Sequence, residues 1–137
     1  DAELPIPIKT GDFFVDLDKV HTINSVGVRK WVSWIGALTK DCRVLLKNCH
    51  YPILLQIGTV RGFLPQNSYV ISFYLTYFCE ELDLEQEILF ELDKNYTFDE
   101  ITISEFISTV VDGKTYQYEL DTLPQKTITF VKKVTIK

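Results

Sequence analysis

The chain has no methionine, and it is sparing with glycine (6), proline (5), cysteine (3) and histidine (2) over 137 residues. Each scarcity excludes something. Lacking an initiator methionine, the chain is expected to be trimmed or cut from something longer. The scattered glycines form no Gly-rich phosphate loop, and neither Ser33 nor Ser68 sits in a G-x-S-x-G elbow. Cys42, Cys49 and Cys79 are odd in number and form no C-x-x-C pair. They read as reduced, buried thiols of a cytosolic protein. No run approaches the roughly 20 apolar residues that a membrane helix needs, and no charged-then-apolar leader opens the chain.

Clustered positive charge is missing as well. The net charge is −5 and unevenly spread. Residues 1–79 hold eight Lys/Arg and six Asp/Glu (+2), whereas residues 80–137 hold six and thirteen (−7). That balance argues against nucleic acid. The acidic half reads as solvated surface and not as a metal cage. His21 and His50 have no partner at i, i+3 or i, i+4 spacing, so no zinc site or other metal is expected. Neighbours Cys49 and His50 point apart and lack a third orienting group, so they make no catalytic pair. Glu80-Glu81 lies in a polar turn without the apolar setting that raises a carboxyl pKa. The expectation is a protein that is not an enzyme and carries no cofactor.

What is present is a set of short apolar runs. Residues 1–11, with Pro5 and Pro7, read as an extended leader. Residues 13–17 predict a strand. Asn24 or Ser25 is a good N-cap for a helix running to about Thr39. Its apolar stripe of Val28, Val32 and Ile35 beside Trp31, Trp34 and Leu38 is broad enough to pack on a sheet. Residues 43–47 predict a second strand, and Pro52 opens a second helix that runs towards Val60. Residues 69–79 alternate as one long strand. Strand, helix, strand, helix, strand in that order predicts parallel βαβ units. Further on, residues 86–92 read as a strand. Thr102 and Glu105 have capping-box spacing, followed by Ile103, Phe106, Ile107 and Val110 at helical spacing, with Gly113 as the stop. A strand stays open there, because the run is rich in β-branched residues. Residues 114–120 and 126–136 predict a hairpin joined through 121–125.

The stretch FFVDLDKVHTINSVGVRKWV (residues 13–32) resembles the strand–loop–helix of STAS domains, the anti-sigma-factor-antagonist fold. Asp16-Leu17 matches the end of that family's apolar strand, and Asn24-Ser25-Val26-Gly27 matches its Asp-Ser-Ser-Gly helix start. RVLLKN and PILLQIGTVRGF resemble the next two elements, so the likeness covers residues 12–75. It implies an α/β fold: a STAS-like βαβαβ core of mainly parallel strands over residues 12–79, with an acidic α+β extension over 80–137 packed on or next to it. It also implies a non-catalytic regulatory module of the bacterial cytoplasm that binds a kinase-like anti-sigma factor or another regulator, and neither nucleic acid nor membrane. The family's phosphorylated serine falls on Ser25, where a charge of roughly −1.5 to −2 would expel a partner. Ser25 also reads as a plain N-cap. The expected contact surface is His21, Asn24, Ser25, Val26, Arg29 and Lys30. Asn24 replaces the family's Asp, Val26 its second serine, and only about ten residues stand where an N-terminal hairpin is usual. The alternative is therefore a self-associating subunit, a homodimer pairing through an open sheet edge, with Tyr74, Tyr77 and Phe78 at its interface.

Overall fold

Two apolar runs, Phe13–Val15 and Val44–Leu46, are each flanked by charge, and they build strands that lie side by side. The computed structural model describes residues 11–38, 41–65, 68–91, 100–121, 128–131 and 133–137, and these hold nine strands and two helices. β1 (Gly11–Asp16) pairs in parallel with β2 (Cys42–Lys47), from Gly11 opposite Cys42 to Asp16 opposite Lys47. β2 pairs in parallel with β3 (Ser68–Val70). α1 (Ser25–Gly36) links β1 to β2, and α2 (Tyr51–Thr59) links β2 to β3. β2 is the central strand, and its residues Val44, Leu45 and Leu46 are all buried, as expected for a parallel strand covered on both faces.

The amphipathic stripe of α1 faces the core. Trp31 and Ile35 are buried, with Val28, Val32, Trp34 and Leu38 packed around them. The Trp31 Nε1–H donates to the Phe63 carbonyl at 2.8 Å, so the buried indole keeps its hydrogen bond. Trp34 meets Phe13 of β1 at 5.4 Å between centroids, which ties the helix to the sheet. Pro52 sits in the first turn of α2, where a missing N–H costs nothing.

Beyond Val70 the expected fold fails. The protein is mostly β and carries a curled antiparallel sheet, so a mainly parallel βαβαβ α/β class does not describe it. The single strand expected over 69–79 is two. β3 stops at Val70, the Ile71 amide still donates to the Leu46 carbonyl, and β4 (Ser72–Cys79) then leaves for another sheet. That sheet has the order β5-β4-β8-β7, with β5 (Leu84–Glu91), β7 (Phe106–Val111) and β8 (Lys114–Leu120). Its two edge strands come within side-chain reach, because the Thr109 hydroxyl of β7 donates to Gln86 Oε1 of β5 at 3.2 Å.

Of the two readings left open over 103–110, the helix is corrected and the strand is what forms. β6 (Glu100–Ile103) and β7 occupy that stretch. Ile, Val, Thr and Phe favour a pleated surface, and the next residues settle the matter. Asp112 and Gly113 have φ of 51° and 80°, the left-handed pair of a two-residue hairpin turn that folds β8 back on β7. Gly113 therefore closes a hairpin and does not stop a helix. Nor do the last two strands form a hairpin. β8 pairs with β7 and β4, while β9 (Lys133–Ile136) pairs in parallel with β6. Gly11, the last residue of the expected leader over 1–11, opens β1, and α1 stops at Gly36, short of the expected end at Thr39. Residues 1–10, Thr39, Leu92 and residues 122–125 of the expected 121–125 connection lie outside the described residues.

One hydrophobic cluster joins both halves of the chain, from Trp31, Leu46 and Ile53 to Phe73, Tyr77, Tyr118 and Ile128. Phe73 of β4 stacks on Phe90 of β5 at 5.6 Å, and the Tyr77 hydroxyl donates to the Ser104 carbonyl at 2.6 Å. Tyr77 is thus core, which removes it from the interface expected for a self-associating subunit. No helix among the described residues is long and apolar enough to cross a membrane.

Candidate functional site

Because β1 and β2 are parallel, the loops leaving their C-terminal ends emerge at one edge of the sheet, the usual place for function in such an arrangement. The β2 exit is short. Asn48 adopts φ 59°, a left-handed conformation that asparagine tolerates. It turns the chain so that its amide meets the Ser72 hydroxyl at 2.7 Å and its side-chain Nδ2 donates to Asp16 Oδ1 at 2.9 Å. Asp16 Oδ1 also accepts from the Asp18 amide at 3.0 Å. These two hydrogen bonds, the Asn48 one first, hold the Asp16 carboxyl below the usual carboxylate range. The Cys49 backbone then bridges to β4, accepting from the Tyr74 amide at 2.9 Å.

His50 follows as the N-cap residue of α2, and it is buried. Its Nδ1 lies 2.9 Å from Glu87 Oε2 on β5, and its Nε2 lies 2.6 Å from the Asp18 carbonyl in the β1–α1 loop. A carbonyl only accepts, and so does a glutamate carboxylate at neutral pH. Both contacts are hydrogen bonds together only when the ring carries a proton on each nitrogen. Burial works against that charge, but the hydrogen bond to Glu87, the one to Asp18 and the two nearby negative charges outweigh it, and the His50 pKa is raised. Two rings lie against that of His50. Tyr74 of β4 stacks on it at 4.6 Å and 10°, and His21 approaches at 4.2 Å and 33°. The Tyr74 hydroxyl donates to Asp18 Oδ1 at 2.7 Å, which together with burial and the surrounding carboxylates pushes its pKa up to about 12.

The sequence-predicted residues divide here. His21 joins this cluster and is exposed, as Asp18 and Glu87 are. Asn24, Ser25, Val26, Arg29 and Lys30 lie further along, on the exposed start of α1. Asn24 is the cap. Its Oδ1 accepts from the Gly27 amide at 2.8 Å, and its carbonyl accepts from the Val28 amide at 2.9 Å. Ser25 is the first helical residue, so the reading of Ser25 as the N-cap is corrected. Val26 stands 42% exposed, three and four positions before Arg29 and Lys30 on the helix. A Cβ at Gly27 would lie 3.0 Å from Ile23 Cγ1, so this glycine is where the loop packs back on the helix start.

Sequence reasoning missed Asp18, Asn48, Ser72 and Glu87, gave Tyr74 to a self-association interface, and weighed His50 only as a ligand or catalyst. The available signal was positional: each histidine follows a predicted parallel strand. Among the described residues no group of three or more His, Cys, Asp or Glu is arranged to hold a metal ion. Burial pushes the Cys49 thiol up to about 12, so it is no nucleophile beside His50.

The sequence matches no protein-family model, no curated protein and no solved structure.

Proposed function

We propose that this chain is a non-catalytic protein-binding module of the cytoplasm, whose contact surface is the β1–α1 loop and the first turns of α1, His21 to Lys30. The observation that carries the reading is the presentation of that surface. Val26, an exposed apolar side chain, stands among His21, Arg29 and Lys30, all of them exposed, on a helix start capped by Asn24. The loop before it is clamped at Asp18 by His50 and Tyr74. A pre-set apolar anchor on the same helix start as Arg29 and Lys30 suits a protein partner that brings carboxylates. The non-catalytic half is supported by chemistry already spent: both His50 nitrogens are hydrogen-bonded, and the Cys49 thiol is buried.

Ser25 is the proposed switch. A phosphate on the first helical residue would lie at the positive end of α1, so the free module tolerates it, while an acidic partner is repelled. Support for STAS-like partner exchange comes from the Asn24–Gly27 motif at a helix start after a strand. The test is enrichment from native material with wild-type, Val26→Glu, Ser25→Asp and Val110→Glu chains. The expected result is a partner held by wild type and Val110→Glu but lost from Val26→Glu and Ser25→Asp. A partner that Val26→Glu retains contradicts this surface.

A second reading rests on β7. Phe106 and Val110 are 45% and 65% exposed on one face of a strand that, among the described residues, pairs only with β8. Self-association through that strand predicts a dimer by light scattering that Val110→Glu converts to monomer.

A further inference from the structure

We propose that His50 is a proton-operated latch on the loop that leads into α1: protonated, it grips Asp18 and Glu87 together, and neutral, it can grip only one. The argument is geometric. The two contacts come from different elements, Glu87 on β5 and the Asp18 carbonyl in the β1–α1 loop. A neutral imidazole has one N–H and one lone pair, so one of the two acceptors must then face a lone pair at under 3 Å. The contact kept is the one to Glu87, because a hydrogen bond to a carboxylate is the stronger of the two. The contact given up is the one to Asp18, and with it half of the clamp on the loop.

The groups facing the His50 ring are Glu87 from β5, Tyr74 from β4, and Asp18 and His21 from the loop. Asp16 stands one hydrogen bond further out, on the Asp18 amide. The surroundings are thus predominantly acidic and favour the charged ring. His21 is the second imidazole, its ring 4.2 Å from that of His50. Tyr74 keeps its own hold on Asp18 Oδ1 in either state, so deprotonation loosens the loop without freeing it. The effect on partner binding rests on the contact surface proposed above, whereas the latch itself does not.

The test is histidine-selective NMR on the full chain, which has only two histidines, with His21→Asn to leave one signal. At pH 6 both His50 ring nitrogens are expected to carry protons, with a titration midpoint above 6.5, and Glu87→Gln is expected to lower that midpoint. Amide exchange is followed across the same range at Val20, which bonds Leu17 in the loop, and at Ile71, which bonds Leu46 outside it. After correction for intrinsic rates, Val20 exchange is expected to rise roughly tenfold relative to Ile71 as His50 deprotonates. A His50 that is neutral at pH 6, or a constant Val20-to-Ile71 ratio through its midpoint, overturns the latch. Neither result touches the contact surface, which the enrichment experiment tests separately.

Discussion

Tyr74 and His50 lie ring on ring, 4.6 Å apart and 10° from parallel, at the point where the parallel sheet hands the chain to the antiparallel one. Tyr74 belongs to the strand that departs, and His50 to the loop that leaves β2. The stack is therefore a joint between two sheets, and Asp18 is the residue both rings hold.

Removing the Tyr74 hydroxyl alone separates the stack from the hydrogen bond. Tyr74→Phe keeps the ring against His50 and loses the donor to Asp18. The expected cost is about 1 kcal/mol by denaturant unfolding, with an unchanged m-value. Wild-type stability in this variant would mean that the hydroxyl contributes nothing to the joint.

Stability should depend on pH with two opposite limbs. His50 has a raised folded-state pKa, so its contribution is complete below its ordinary value of 6.5 and is lost as the pH rises through the folded value. Asp12, held low first by its hydrogen bond to Arg43, and Asp16, held low first by Asn48, contribute above the ordinary value of 3.8 and lose that contribution on acidification. The melting temperature is expected to be highest between roughly pH 4 and 6.5 and to fall towards pH 8.5. In His50→Gln the alkaline decline should flatten. An unchanged alkaline slope in that variant would assign the decline to another group.

The helix start distinguishes two adjacent polar residues. Asn24→Ala removes the acceptor for the Gly27 amide and is expected to cost about 1 kcal/mol. Ser25→Ala, at the next position, should stay within about 0.5 kcal/mol of wild type. Equal losses in the two variants would contradict the capping geometry.

None of the three cysteines is in a disulfide, and all three are buried. Burial raises the pKa of the Cys42 thiol, with Asp12 adding to it, and drives that of Cys49 to about 12. Native chain at pH 8 should react slowly with a thiol reagent, and guanidinium should release three reactive groups. A fast native reaction at Cys49 would reopen chemistry beside His50.

The sequence was readable where structure is decided locally. The Asn24 cap, the Trp31–Ile35 stripe and Pro52 placed both helices, and the apolar runs placed β1 and β2. What was not readable depends on partners distant in the chain. Nothing in the alternation of residues 69–79 shows that Val70 pairs with Leu46 while Phe73 pairs with Phe90. Ile103, Phe106, Ile107 and Val110 satisfy helical spacing, yet Ile107, Thr109 and Val111 also alternate as one strand face. Asp112-Gly113 carried the deciding signal in two letters, misread as a helix stop. The cluster around His50 was hidden for the same reason, since Glu87 and Asp18 lie 37 and 32 positions away.

The most direct measurement places a photo-crosslinking amino acid at position 26, and in a second chain at position 110, in native cells. The account predicts one dominant heterologous adduct at 26, abolished by Ser25→Asp, and none at 110. Self-adducts at 110 with nothing captured at 26 would contradict it.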